Sequence, residues 1–533
     1  YKKMQTIHIA VSLSVFAMAT IIYLLTKFLN KCNTDDEEEE EEEVRQVTSI
    51  QEKEYTPPPH NLMFDKKTNP ILRYVIPVMV VLTMLIFVIS NLAKGAIIGL
   101  GLTVPSGKMY GPVHFFEFTL IKTLNQLWDL KIYLLFFIIF IFSLIWPYVK
   151  LFLMLVAWVV PKSHLKLKQR EDLLFWLDAL GKLSLVDIFA LVVFMVAFKF
   201  DIPLSGSHVA TYIDPEFGFH CFLYATVLSL IIGHTATFVH RQSIRPKFEG
   251  TTTIKASIRT HKFHGRTDDS YMKLSTFFQA LLVFFLIIDL VLLSMGIFQK
   301  VFVVVIGGLP GVLIGYPGNH KMESVWTFGL GIPLAVTGDP TISVRIIQVV
   351  FFFFAVIMPY ACVLVVSVMY LVPMSVQAQQ RIYSLAEICN AWSAIEVFLL
   401  ASLVSVLQIP KLVHGIRQKH CLPLEKLLKK FHFQELVGTT KCIDIHTRME
   451  SEGAILYVGV GIHILLMHFF IKLSHRALHD RIEREGTFKR KNNSSGLETE
   501  KDSQKFFVCF TKTCLGRFLF KDYTPSEEDT PSP

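Results

Sequence analysis

The feature that most constrains this chain is a series of long apolar blocks. They lie at 8–28, 72–92, 132–160, 186–200, 217–239, 274–298, 346–372, 392–407 and 454–471. A helix needs about 20 residues to cross the hydrocarbon core of a bilayer, so most of these blocks can span one. Composition agrees: 52% of the 533 residues are hydrophobic and 18% are charged, with a mean hydropathy of +0.46. Soluble domains carry about a quarter charged residues. The sequence therefore predicts an all-α polytopic membrane protein with nine transmembrane helices in a 1 + 4 + 4 arrangement. A soluble enzyme is excluded.

The blocks and the polar stretches between them give the organisation. An N-terminal anchor helix (1–30) precedes an acidic linker (31–70), which holds nine consecutive acids at 35–43 and the triple proline 57–59. Such a run repels itself and stays disordered; docking to a basic partner is the other reading. A first four-helix module (71–240), a basic loop (241–273), a second module (274–478) and a tail (479–533) follow. The blocks at 186–200 and 392–407 are short for a span and are expected to extend N-terminally. The chain begins at Tyr1, which reads as the loss of something upstream: a signal, a propeptide or a domain.

Charge sets the orientation. Lys162, Lys166, Lys168 and Arg170 follow a span; 241–273 holds eight Lys or Arg against three acids; 472–491 is basic too. With alternating spans all three fall on one side, which is the cytoplasm by the positive-inside rule. The N-terminus then faces outward or into a lumen, and the C-terminus is cytoplasmic, in the plasma membrane or an endomembrane. The segment 411–452, placed outside, is also basic, but loops of this length translocate largely regardless of charge. The outer segments 94–130 and 299–343 alternate apolar and polar residues among Gly and Pro, so small β-rich parts are expected there. Gly307–Gly308–Leu309–Pro310–Gly311 and 315–318 read as turns between strands.

The chain also repeats itself. Residues 142–163 (FSLIWPYVKLFLMLVAWVVPKS) and 354–375 (FAVIMPYACVLVVSVMYLVPMS) share eight of 22 positions at an offset of 212. The matches include Pro147/Pro359, Tyr148/Tyr360 and Pro161/Pro373, and the two mid-span prolines predict kinks. SLVDIF (184–189) returns as SAIEVF (393–398) at an offset of 209. Each copy has an even number of spans, so the repeat is parallel.

These motifs, GKLSLVDIF at 181–189 and NAWSAIEVF at 390–398, each after a helix with a central proline, resemble the paraquat-inducible protein A family. That family includes the bacterial lipid-transport protein LetA, and the resemblance covers about 72–478. It implies two tandem four-helix modules that load or unload membrane lipids for partners such as MCE-type lipid tunnels. Bacterial members usually carry CxxC zinc ribbons before each module. Here 31–69 and 241–271 contain only Cys32, so no metal site or cofactor is expected, and the chain reads as a eukaryotic relative.

Few residues carry chemistry. Asp187 and Glu396 are acids at equivalent places in the two copies, near the cytoplasmic start of a span. They read as a proton-sensitive or headgroup site, because charge in a bilayer usually faces a bundle interior, or as helix-start anchors. Ser184 and Ser393, three residues earlier, fit a capping box. Lys182 and Lys150 could each pair with Asp187 or a phosphate group; Lys182 could instead snorkel. The second copy has Ala391 and Cys362 at those places, so the copies are chemically asymmetric. Asp289 lies deep in a span, and His234 is a lone intramembrane histidine more simply read as hydrogen-bonded. Ser90, Asn91 and Lys94 close the first span of module one at the outer interface. Cys421 and Cys442 share an outer loop and could form a disulfide. Cys509 and Cys514 are weak acylation candidates, and the sequons at Asn492 and Asn493 fall on the cytoplasmic side.

The expected function is a lipid-transport component that passes lipid between the bilayer and an extracytoplasmic partner or an upstream domain of the same chain. The alternative is a tetraspan-like adaptor that assembles a membrane complex. An intramembrane enzyme is disfavoured, since paired aspartates, HExxH and a nucleophile elbow are missing. Net charge of +8 reports loops, not nucleic acid.

Overall fold

Eight of the expected spans are helices long and apolar enough to cross a membrane. They are seen in a computed structural model that describes residues 62–64, 70–103, 109–161, 165, 167–204, 207–244, 255–264, 271–315, 318–417, 421–430, 439, 441–490 and 520–523. The expected anchor at 8–28, the acidic run, Cys509, Cys514, Asn492 and Asn493 lie outside the described residues.

The first half opens with α1 (Pro70–Leu92), then strands β1 (Ala96–Thr103) and β2 (Met109–Phe118) and the short helix α2 (Leu120–Asp129). The second span is α3 (Tyr133–Ile139), a π-helical turn (Phe140–Ile145) and α4 (Trp146–Val159). The third is broken: α5 (Leu167–Ala179), a 3-10 turn (Gly181–Leu185), then α6 (Val186–Phe198). Strands β3 (Asp201–Leu204) and β4 (Ser207–Pro215) lead to α7 (Phe217–Ile244). After β5 (Lys262–His264) and β6 (Tyr271–Leu274), the second half runs α8 (Thr276–Phe298), β7 (Phe302–Gly307), α9 (Gly308–Ile314), β8 (His320–Glu323) and α10 (Val325–Gly331). Its second span is α11 (Ile342–Phe352), a π-helical turn (Phe353–Ile357) and α12 (Met358–Leu371). Its third is α13 (Val376–Trp392) and α14 (Ile395–Ile416). Then come α15 (Leu422–Lys430), β9 (Asp444–Met449), α16 (Gly453–Arg490) and β10 (Phe520–Tyr523).

Pro147 and Pro359 each stand in the first turn of the helix that follows a π turn. Proline has no N–H for the preceding turn, so the ladder widens there instead of closing. The two short apolar blocks do extend N-terminally, through a break. Asp187 and Glu396 therefore lie just after these breaks, inside the candidate spans 169–198 and 376–415. The turns expected at 307–311 are replaced by α9, which opens on Gly308 at φ +73°; its left-handed backbone suits glycine. The boundary drawn at 478 falls inside α16, and the one at 240 inside α7.

Both sheets built between spans lie at the same end of the bundle. In one, β1 pairs antiparallel with both β2 and β4, and β3 borders β4. In the other, β7 pairs antiparallel with both β8 and β9. Each central strand follows the first span of its half, and one of its partners, β4 or β9, precedes the last. The sheets are joined: Ile213 donates its N–H to the Ala335 carbonyl, and Asp214 accepts from the Thr337 N–H at 2.9 Å and its hydroxyl at 2.6 Å. At the far end, β5, β6 and β10 form a third sheet. There Arg481 of α16 donates to the carbonyls of Ala256 and Met374 and to Gln379, fixing the 255–264 segment to α12 and α13.

The centre of the bundle is α6 against α14. Burial reaches 61% and 72% of the apolar windows in their spans, against 33% for α1 and α8. A helix that is apolar all round belongs in such a core. Phe189 and Phe398, equivalent by the 209-residue offset, meet edge to face at 5.8 Å, a favoured aromatic geometry.

Candidate functional site

The site forms where the two central helices start. α6 begins after the 3-10 turn and α14 after the Ser393–Ala394 break, and the 3-10 turn packs against α14. A helix start leaves backbone N–H groups without intrahelical partners. In the second half the π turn supplies one acceptor: the Phe354 carbonyl, left free upstream of Pro359, accepts the Ala394 N–H at 3.0 Å.

The charged groups then sort themselves across the two halves. Lys182, on the 3-10 turn, forms an ion pair with Glu396 and donates to the Ser393 carbonyl at 3.2 Å. Its partner is thus the acid of the other half, not Asp187. The Lys182 and Glu396 side chains are 16% and 22% exposed, so the pair is half-buried and reachable. Asp187 is also partly accessible, with Ser143 of the π turn beside it. Lys150 is buried and donates to Ser229 at 3.3 Å, and the Ser229 hydroxyl donates in turn to the Thr226 carbonyl. The Lys150 ammonium packs over Gly181; a Cβ there would sit 2.5 Å from Nζ. Glycine at 181 is what admits it.

The capping-box reading of Ser184 and Ser393 is corrected. Neither hydroxyl caps the following helix. Both are buried, and neither makes a hydrogen bond. The reason is the break: Ser184 belongs to the 3-10 turn and Ser393 closes α13, so neither occupies the cap position.

Two further acid–histidine contacts lie within the halves. His234 of α7 meets Asp178 of α5 at 3.0 Å, with the Trp392 ring beside the imidazole. His463 of α16 meets Asp289 of α8 at 3.0 Å, both buried. Pro147 and Pro359 sit beside similar tethers: Asn91 donates to the Tyr148 hydroxyl at 2.9 Å, and Tyr360 donates to Ser294 at 3.0 Å. Ser90 donates to the Gly218 carbonyl, and Lys94 pairs with Glu117. Cys421 and Cys442 are joined by a disulfide at the sheet end.

Sequence reading missed Ser143, Asp178, Ser229 and His463. His463 was findable, since an ionisable group inside a span is a functional candidate by default. Asp178 was hidden because its helix looked like a polar loop before an unusually short span.

Residues 112–240 and 343–416 match the family model described as Paraquat-inducible protein A. The first segment contains Pro147, Lys150, Lys182, Ser184 and Asp187; the second contains Pro359, Ser393 and Glu396. No curated protein and no solved structure matches the chain. These two segments, which resemble that family, carry both broken helices of the central site.

Proposed function

We propose that this chain is the membrane component of a lipid-transfer system, built from two parallel four-helix modules, and that it passes lipid between the bilayer and an extracytoplasmic partner. One observation carries the reading. The charged centre, Lys182 with Glu396, joins the two halves at the depth where both central helices break, and it stays reachable. Broken helices line substrate sites near the midplane of transporters, where irregular backbone is tolerated beside a cavity. A purely structural bundle gains little from a half-buried ion pair at that depth, because desolvation offsets the attraction. The mirrored sheets, β2–β1–β4 and β8–β7–β9, support the parallel repeat. The Cys421–Cys442 disulfide supports placing the sheet end in an oxidising, extracytoplasmic compartment.

The test is transfer of fluorescent phospholipid from proteoliposomes to acceptor vesicles, together with mass spectrometry of co-purified lipid. Wild type should carry lipid and transfer it. Asp187→Asn combined with Glu396→Gln should reduce transfer at least tenfold while leaving the protein folded. Lipid-free protein with no transfer would sink the proposal in favour of an adaptor role.

A further inference from the structure

Asp187 and Glu396 occupy equivalent places in sequence, yet their surroundings differ. Glu396 is met by an ammonium, that of Lys182 on the opposite half, which also takes the Ser393 carbonyl. The contact between Phe189 and Phe398, residues related by the same 209-residue offset, relates the halves about an axis passing between α6 and α14. Exchange about that axis turns Lys182→Glu396 into residue 391→Asp187, and the Ser393 carbonyl into that of Ser184. Residue 391 is alanine, so no side-chain cation comes to Asp187 from the second half. Among the described residues Asp187 has no ion-pair partner, while Lys150 is held by Ser229.

Instead, hydroxyl groups accompany it. Ser143 of the π turn lies against the carboxyl and is fully buried. Ser184, one helical turn before Asp187 and therefore on the same face, is buried and its hydroxyl makes no hydrogen bond. At the corresponding places the second half has Ala355 and Ser393; the extra hydroxyl belongs to the half without the lysine. One carboxylate, hydroxyls and the carbonyls of an unwound helix start make a hard-oxygen set of charge −1, the chemistry that coordinates a monovalent cation in broken-helix transporters.

We propose that Asp187, Ser143 and Ser184 bind one exchangeable monovalent cation, sodium or a proton, in the place that Lys182 fills permanently at Glu396. The two halves then carry one tethered charge and one exchangeable charge across the same axis. The inference stands independently of what the cargo is. The elements packed on α6 are α14, the 3-10 and π turns, β4, α10 and the turn at Ile332–Leu334. Their titratable groups are Lys182 and Glu396 near Asp187, with His208, Tyr212, Asp214, Lys411 and His414 toward the sheet end.

The experiment is thermal unfolding of the full chain in nanodiscs, in N-methylglucamine chloride titrated with sodium or potassium chloride at constant ionic strength and mildly alkaline pH. A second arm varies pH without alkali cation. Wild type should show a saturable rise in Tm on the order of 5 °C, in the sodium arm for an alkali site or in the acid arm for a proton site. Asp187→Asn should abolish the rise, and Glu396→Gln should keep it. Ala391→Lys, which supplies a tethered ammonium, should abolish the dependence and raise Tm in cation-free buffer. Indifference of wild type in both arms, or a dependence that survives Asp187→Asn, overturns the site. If Ala391→Lys does not accumulate, the contrast between Asp187→Asn and Glu396→Gln decides. Because none of these readouts involves lipid, failure of the lipid reading leaves them untouched.

Discussion

At the residue scale, the molecule turns on which charge meets which. Lys182 could have met Asp187, five residues away in its own half, and meets Glu396 across the halves instead. Removing one member of such a pair strands the other in a medium that penalises unpaired charge. Glu396→Gln should therefore cost about 2–4 kcal/mol, the figure for a buried pair reduced for its partial exposure. Lys182→Met should recover part of that loss in the double variant. A thermodynamic cycle from detergent unfolding measures the coupling, and additive single losses would refute the contact. Only the types and the asymmetry were legible: Lys182 and Lys150 in one copy, Ala391 and Cys362 in the other. The partner choice was not, because sequence offset says nothing about which faces of two helices meet.

At the element scale, the sheets and their tethers carry the separable predictions. The disulfide joins positions 21 residues apart, so Cys421→Ser should lower stability by about 3 kcal/mol. Non-reducing alkylation of unfolded wild type should leave two cysteines unlabelled. On β9, burial raises the Asp444 carboxyl, but contacts with Lys441 and His446 outweigh it and hold the pKa below its usual 3.8. A carboxylate depressed in the folded state contributes stability fully above the unfolded value, and that contribution fades as pH falls through the folded one. Asp444→Asn should therefore lower Tm slightly at neutral pH and flatten its decline in acid. Parallel Tm–pH curves for the two proteins would contradict the assignment. That these outer segments contain strands was readable from Gly, Pro and alternation. That β1 and β7 each sit centrally between strands far apart in sequence was not, since pairing register depends on where four spans bring the chain back.

At the scale of the whole molecule, the two halves are held by α6 on α14, by the sheet-to-sheet bonds of Asp214 with Thr337, and by the charged pair. These are contacts between helices that each half completes by itself. Two fragments divided within 245–254 should consequently co-purify when expressed together. Glu396→Gln combined with Phe398→Ala should weaken that association at least tenfold, as measured by fragment pull-down from nanodiscs. Full retention of the complex would show that the interface lies elsewhere.

Apolar length determined the spans, because a bilayer admits only helices or closed barrels. Proline spacing determined where the helical ladder widens into a π turn, because proline lacks an N–H wherever it is placed. The recurrence of Ser and acid at one offset was legible from the residues alone. Tertiary structure alone decided that the short spans are broken helices meeting at the centre. It also decided that the motif serines cap nothing, and that one half's lysine serves the other half's acid. Local sequence sets what a segment can form; which polar groups end up facing one another is set by how the spans pack.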